Sequence, residues 1–584
     1  MTDPEVGAPL ALATEQDQHT QSEWEAAAAA VLRKTRTLGA DDPDSLVWEK
    51  LTRTTLDGIP VTPLGLPTHL EALRTTGRPT RAGAWDIRAR LAGDDAKLLN
   101  EHALTDLDGG VTSLWVRATP ETDFRTLLDG VLLDLAPAVL EPAGDPVAVA
   151  KAFLELATGD LHADTNLGVD PIGASLRGLV EPETAENVDH VVAVARLATQ
   201  HGVRGVVVDA TAAHDLGASD AQELGYSVYA GVTYLRVLTG AGYELADAAR
   251  LIEFRYAATD EQFPTIAKLR AGRRLWARVL ELSGLEPGAA EQRQHAVTSR
   301  PMLSKYDPYV NMLRTTVAAF AAGVGGADAV TVLPFDSPLG QPDAFGRRIA
   351  RNVSHLLIDE SHVHEVADPA GGAYAVEKLT DDLAAAGWAE LGELETTGLD
   401  AFRTRVGEVA AKREAEIARR KRPITGLTEF PNLAESLPAR EPNPTEPDVR
   451  RYGASFEALR DEPATSPVFL ATLGTIAQHT ARATFASNLF AAGGIAVEVA
   501  GPTGGVDDLL ASYDGQSVVC LAGTDHAYAE WGAAAAAALR GAGAQHVIVA
   551  GRPTALGDEQ NVDDSCAVGV DALAFLTRTR EKLA

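Results

Sequence analysis

From Ser113 onward the chain alternates short β-branched runs with longer Ala/Leu-rich stretches of helical period, and few folds accept that pattern. Ser113–Val116, Gly205–Asp209, Ala296–Ser299 and Ala329–Leu333 read as strands. The stretches 185–200, 220–239, 263–283 and 310–323 read as helices. A strand that returns to the sheet through a helix lies parallel to its predecessor. Sustained over about 340 residues, this predicts an α/β fold built on a (β/α)8 barrel of the TIM type, with insertions. An open doubly wound sheet is the alternative.

The alternation stops at 436–465, where prolines stand at 438, 442, 444, 447 and 463. That stretch reads as a linker with a short helical piece in it. A second α/β unit follows, with strands expected at 468–473, 495–500, 517–522 and 547–550 and helices near 479–492, 506–513 and 527–541. About 120 residues of such alternation predict a flavodoxin-like, doubly wound domain. The expected organisation is an N-terminal arm (1–53), a barrel (54–435), the linker (436–465) and the second domain (466–584). Within the arm, SEWEAAAAAVLRKTRTL (22–38) reads as a helix capped by Ser22, with Trp24, Val31 and Leu32 as an apolar stripe. Either this chain's own barrel or a second chain is expected to cover that stripe.

Charge narrows the function. Against 51 Lys and Arg stand 82 Asp and Glu, for a net charge of −31. A body this acidic repels phosphate backbones, which argues against nucleic-acid binding. Cys520 and Cys566 lack a C-x-x-C spacing and read as reduced thiols. No segment approaches the ~18 apolar residues that span a bilayer, and the first residues lack a secretory pattern, so a cytoplasmic location is expected. Gly323, Gly325 and Gly326 read as a helix end leading into a strand rather than a phosphate loop. His362 and His364, two residues apart, would point to different faces of a helix, so no metal site is expected there.

Three blocks carry a family resemblance: IEFRYAATDEQFPTIAKLRAGRRLWARV (252–279), the stretch 306–377 beginning YDPYVNMLRTTVAAFAAGVGG, and RKRPITGLTEFPNL (420–433). They resemble the adenosylcobalamin-dependent acyl-CoA mutases of the methylmalonyl-CoA mutase family. The resemblance implies a barrel for the acyl-CoA and a cobalamin domain whose D-x-H-x-x-G motif supplies the lower cobalt ligand. The Asp would orient the imidazole, and the Gly would let backbone lie close to the corrin.

At the positions that match those motifs, this chain departs from the pattern. His479 stands at the ligand position, but Ala477 replaces the Asp and Arg482 the Gly. His479 therefore reads as a helix-start histidine. Where the family has a serine after the third strand, the chain has Ala522-Gly523. Of a glycine pair after the next strand only Gly551 remains, following Ala550. In the barrel, Arg90 replaces the Tyr of R-Q-Y-A-G-F, and Ala212 replaces the His that would hydrogen-bond the thioester. His214 falls where a Gln is expected. The H-C-Q-T-S run is partly kept as His295-Ala-Val297-Thr298-Ser299.

A retained scaffold with altered site positions implies the small, non-catalytic subunit of a heterodimer. The large catalytic subunit would carry adenosylcobalamin and interconvert methylmalonyl-CoA and succinyl-CoA, and this chain would hold no cofactor or metal. Two alternatives stay open. One is an active mutase on another acyl-CoA, with His479 as ligand and Arg90 reading a substrate carboxylate. The other is a scaffold or regulatory module for a mutase.

Overall fold

The structure is a computed structural model, and it describes residues 19–71, 73, 81–156, 159–181, 184–447, 449–556 and 562–584. Eight parallel strands close into a barrel: β1 (Asp86–Leu91), β2 (Ser113–Ala118), β3 (Ala138–Pro142), β4 (Asn166–Val169), β5 (Arg204–Asp209), β6 (Ile252–Ala258), β7 (Arg293–Thr298) and β8 (Ala329–Thr331). They pair in chain order, and β8 returns to β1 through Ala329↔Asp86 and Val330↔Ile87. The closed ring decides against the open sheet. Helices cover it outside, so its strands are buried on both faces. The helices read at 185–200, 220–239, 263–283 and 310–323 are present as Ala185–Gln200, α2 (Asp220–Gly240), α3 (Gln262–Leu282) and α4 (Val310–Val324). After α4, Gly326 takes φ 83° and turns the chain into β8, as the glycine reading expected.

Four barrel strands, β1, β3, β4 and β6, were not among the segments read from the pattern. In β1 (DIRARL) and β6 (IEFRYAA), charged residues point into the lumen and break the apolar rhythm. Strand β4 is irregular: it meets β3 through a single pair, Val139↔Asn166. Gly168, at φ 77°, lies so close that a Cβ would stand 1.9 Å from the Leu140 carbonyl oxygen, so only glycine fits.

The first described helix is α1 (Gln21–Lys34), and its cap corrects the sequence reading. Thr20, not Ser22, is the N-cap, and it forms a capping box with Glu23. The helix stops at Lys34, and Arg36 adopts φ 60°. Much of the stripe is covered by neither the barrel nor a second chain but by the arm itself: Trp24, Ala29 and Leu32 pack with Leu38, Val47 and Trp48 in a core of their own. Val31 stays 61% exposed and is not part of that core.

Beyond the barrel, five parallel strands form a second sheet: β9 (Val468–Thr472), β10 (Val497–Val499), β11 (Val518–Ala522), β12 (His546–Ala550) and β13 (Asp564–Cys566). Their order is β10-β9-β11-β12-β13. The fifth strand was not read from sequence, because its three residues are mostly polar. The sheet's core is not separate from the barrel: Tyr306, Ile417, Leu427 and Phe456 join Leu470, Phe490 and Phe575 in one cluster. No helix among the described residues is long and apolar enough to cross a membrane.

Candidate functional site

In a parallel barrel the strand C-termini form the face where ligands bind. Here the lumen beneath that face is filled. Arg88 of β1 is fully buried and bonds Glu253 of β6 at 2.7 Å, Ser113 at 3.0 Å and Asp86 at 3.1 Å. Burial alone would raise the Glu253 carboxyl, but Arg88 and Arg293 pull it down to about 2. One layer higher, the Trp115 ring lies under three guanidinium groups, with Arg255 at 4.0 Å, Arg90 at 5.1 Å and Arg300 at 5.8 Å from its centroid. His295 meets the same ring edge-on at 5.5 Å. Arg255 Nε donates to His295 Nδ1 at 3.1 Å, which leaves Nε2–H to donate to Thr331 Oγ1 at 2.8 Å. Burial and the surrounding arginines hold His295 well below the usual histidine range, so it is neutral.

Arg90, at the end of β1, does not face open solvent. Its Nη1 meets Glu446 Oε2 at 2.7 Å, its Nη2 donates to the Thr445 carbonyl at 3.3 Å, and Glu141 of β3 lies 3.5 Å away. Arg300, just after β7, gives its Nε to the other Glu446 oxygen at 2.5 Å. The proline-rich segment therefore lies across the barrel mouth. Further along, Arg450 N donates to the Asp215 carbonyl and Tyr452 N to the Pro301 carbonyl, both at 2.9 Å. Asp448 lies outside the described residues.

Ala212 sits in the short helix Thr211–Asp215 after β5, buried and without a polar side chain. Two residues on, His214 Nε2 is 2.7 Å from Ser299 Oγ, and its Nδ1 is 3.5 Å from Glu223. Glu223 is committed elsewhere, at 2.6 Å from Lys268 Nζ and 2.7 Å from the Ala257 N–H. Asp209 is buried, but Arg255 and Arg177 more than offset that and hold it at about 2. Asp170, also buried, lacks such a partner and is pushed up to about 6.

The second sheet reverses its winding between β9 and β11, and in doubly wound sheets the crevice at that reversal is where ligands bind. The loop after β9 carries the residues singled out in the sequence. Ala477 and His479 fall in the first turn of α5 (Ile476–Ala492), which Thr475 and Gln478 cap. His479 is buried, and its Nδ1 lies 3.3 Å from the Gly474 carbonyl oxygen. One helical turn on, Arg482 reaches across the reversal. It donates to the Gly523 carbonyl beyond β11 at 2.6 Å and pairs with Asp525. Its guanidinium lies 4.8 Å over the Tyr528 ring. Tyr528 Oη in turn sits between the Leu521 and Ala550 carbonyls, at 3.0 and 2.9 Å. Ala522 and Ala550 end their strands fully buried and offer no side-chain donor.

His362 precedes, as its N-cap, a short 3-10 helix (Val363–Glu365) that contains His364. His362 takes φ 53°, and His364 Nδ1 lies 3.1 Å from the Ile358 carbonyl oxygen. No group of three or more metal-ligating side chains occurs among the described residues. Cys520 and Cys566 are both free and buried. Sequence reasoning missed Glu446, Arg300 and Tyr528. Arg300 follows directly on the His295–Ser299 run and could have been found there. Nothing local marks Glu446.

The barrel mouth and the strand-end crevice do not by themselves name a reaction, and comparison decides the kinship. The methylmalonyl-CoA mutase family profile matches residues 108–510. The chain belongs to the methylmalonyl-CoA mutase family. It is similar to the methylmalonyl-CoA mutase small subunit of Streptomyces virginiae, at 44% identity over 98% of both chains. It is 34% identical to the small subunit of Propionibacterium freudenreichii subsp. shermanii, covering 100% of this chain and 98% of that one. With the methylmalonyl-CoA mutase of Cereibacter sphaeroides it shares 35% identity over only 38% of this chain and 33% of the relative.

Proposed function

We propose that this chain is the small, non-catalytic subunit of a heterodimeric methylmalonyl-CoA mutase. A homologous large subunit would hold adenosylcobalamin and carry out the interconversion of methylmalonyl-CoA and succinyl-CoA in the cytoplasm. This chain would bury the large subunit's exposed surface and brace its barrel. We read the five-stranded sheet as a flavodoxin-like domain of the cobalamin-binding type, from its strand order and its place after the barrel. The N-terminal arm (1–53) is read as part of the contact with the large subunit.

The observation that carries this reading is Arg482, whose guanidinium bridges α5 and the Gly523 carbonyl across the winding reversal. In the family pattern a glycine at this position would leave room for cobalamin, and the histidine would be the residue that holds its cobalt. Here the imidazole of His479 lies against a backbone carbonyl, with Ala477 in place of an orienting acid. The residues present do not fit the cofactor, and no catalytic step is assigned to them. Ala212 likewise offers no donor to a thioester oxygen, a loss of about 3–4 kcal/mol by analogy with oxyanion-hole deletions. The reading of an active mutase would need both sites open.

The test is reconstitution. The full chain mixed with adenosylcobalamin and passed over a sizing column should elute without corrinoid absorbance and show no turnover. Co-expressed with the large subunit, it should co-purify with an active, corrinoid-loaded complex. Corrinoid co-eluting at one per chain with the isolated protein would overturn the proposal.

A further inference from the structure

The contacts at the barrel mouth resemble those of a bound ligand, except that the ligand is this chain. Glu446 is nearly 360 residues from Arg90 along the chain, yet each of its carboxylate oxygens takes one guanidinium group: Oε2 from Arg90 at 2.7 Å and Oε1 from Arg300 at 2.5 Å. Those arginines stand on β1 and just past β7, two strands that flank β8. One carboxylate thus spans the short strand β8, which has only three residues. Burial would raise the Glu446 carboxyl, but the two arginines hold it below its ordinary value, so it is ionised at neutral pH.

The rim is rich in cations. Arg90, Arg177, Arg255 and Arg300 face Glu141, Asp209 and Asp215, and Asp209 and Asp215 are already engaged by Arg255 and Arg177. Arg300 has one other acid nearby, Asp215 at 3.7 Å. Beneath the segment, Arg90 Nε, Glu141 Oε2 and Asp215 Oδ1 are buried without hydrogen-bond partners. The flanking residues make the segment a fitted cover rather than a passing loop. Arg440 pairs with Asp336 and Asp343 at 2.7 Å each, Gln341 N donates to the Glu441 carbonyl, and Tyr452 closes edge-on over His214 at 6.5 Å.

We propose that residues 440–447 and 449–452 form a built-in stopper of the barrel, and that the Arg90–Arg300 pair is a carboxylate-binding site occupied in cis by Glu446. The stopper closes the mouth to carboxylate-bearing ligands and ties the segment between barrel and second sheet to the barrel rim. Removing the Glu446 carboxylate leaves two adjacent guanidinium groups without their shared anion, and a small free carboxylate then fills the place. This inference stands apart from the subunit assignment, because the isolated full chain is enough to test it.

The test compares the native full chain with Glu446→Ala under sodium formate, using sodium chloride at matched ionic strength as control. Glu446→Ala should lower the thermal midpoint by at least about 3 °C. Formate should restore most of that loss with saturation in the millimolar range, and chloride should not. Cleavage by a protease between 436 and 450 should rise at least about tenfold in Glu446→Ala and fall again with formate. Adding Arg90→Met to Glu446→Ala should abolish the formate effect. If Glu446→Ala does not fold, Glu446→Ser, which also vacates the place of the carboxylate, gives the same decision. A formate response equal in native and variant chains, no response, a response that survives Arg90→Met, or unchanged cleavage would each overturn the proposal.

Discussion

Lys268 makes the buried electrostatics concrete at the scale of one residue. It is fully buried and lies 2.6 Å from Glu223 and 2.9 Å from Asp220, and the pull of these acids overcomes burial and raises it above the ordinary lysine value. Breaking a buried pair leaves a charge with no counterpart. Lys268→Met should therefore cost about 3–5 kcal/mol, read as a lowered urea midpoint, and adding Glu223→Gln should recover part of it. His479→Ala in the reconstituted complex should leave kcat/KM and corrinoid content within about twofold of native, since no cofactor step is assigned to that imidazole. A complex that loses its corrinoid on this substitution would remove the main support for the non-catalytic reading. Arg90, Ala212 and Arg482 were singled out because each stands where the family resemblance leads one to expect another residue, and His479 because it stands where a ligand is expected. Their partners were not: Glu446 and Gly523 meet them only after the chain has folded back.

At the scale of elements, the hairpin formed by Arg53–Thr54 and Pro60–Val61 docks its Asp57 beside Ser219 and Ala221, at the start of α2. Burial, with Asp220 close by, pushes Asp57 up to about 6. For an acid raised on folding, stability is greatest when it is protonated and is lost as pH rises from the unfolded value near 4 to about 6. Asp57→Asn removes that loss, so its thermal midpoint relative to native should climb between pH 4 and pH 6.5 and then level off. Asp209 and Glu253 work in the opposite sense. Both are held at about 2, so the stability they contribute is present above pH 4 to 5 and is lost as pH falls toward 2. The four barrel helices read from the pattern were legible to within a residue or two because their apolar period runs over many turns, whereas the longest, Tyr374–Ala418, was not read. The short strands were less so: β1 and β6 put charge into the lumen, β4 is bent by Gly168, and β13 has three residues.

For the whole molecule, the telling feature is the core shared across the proposed domain boundary. Phe456 and Leu427 are buried against the second sheet, although both precede Ser466. Residues 466–584 expressed alone should therefore lack part of their core and give weak near-UV circular dichroism, whereas a piece beginning near residue 420 should recover it. Equal order in both pieces would show that the sheet closes its own core. By itself the sequence determined the family and the two parallel α/β units, because periodicity and motif spacing are local properties that survive without contacts. Only the tertiary structure decided what fills the two clefts. Glu446 on the barrel arginines and Arg482 across the strand-end crevice bring together groups far apart in the chain, and at the barrel mouth burial, which no linear pattern records, makes that meeting a closed ion-pair site.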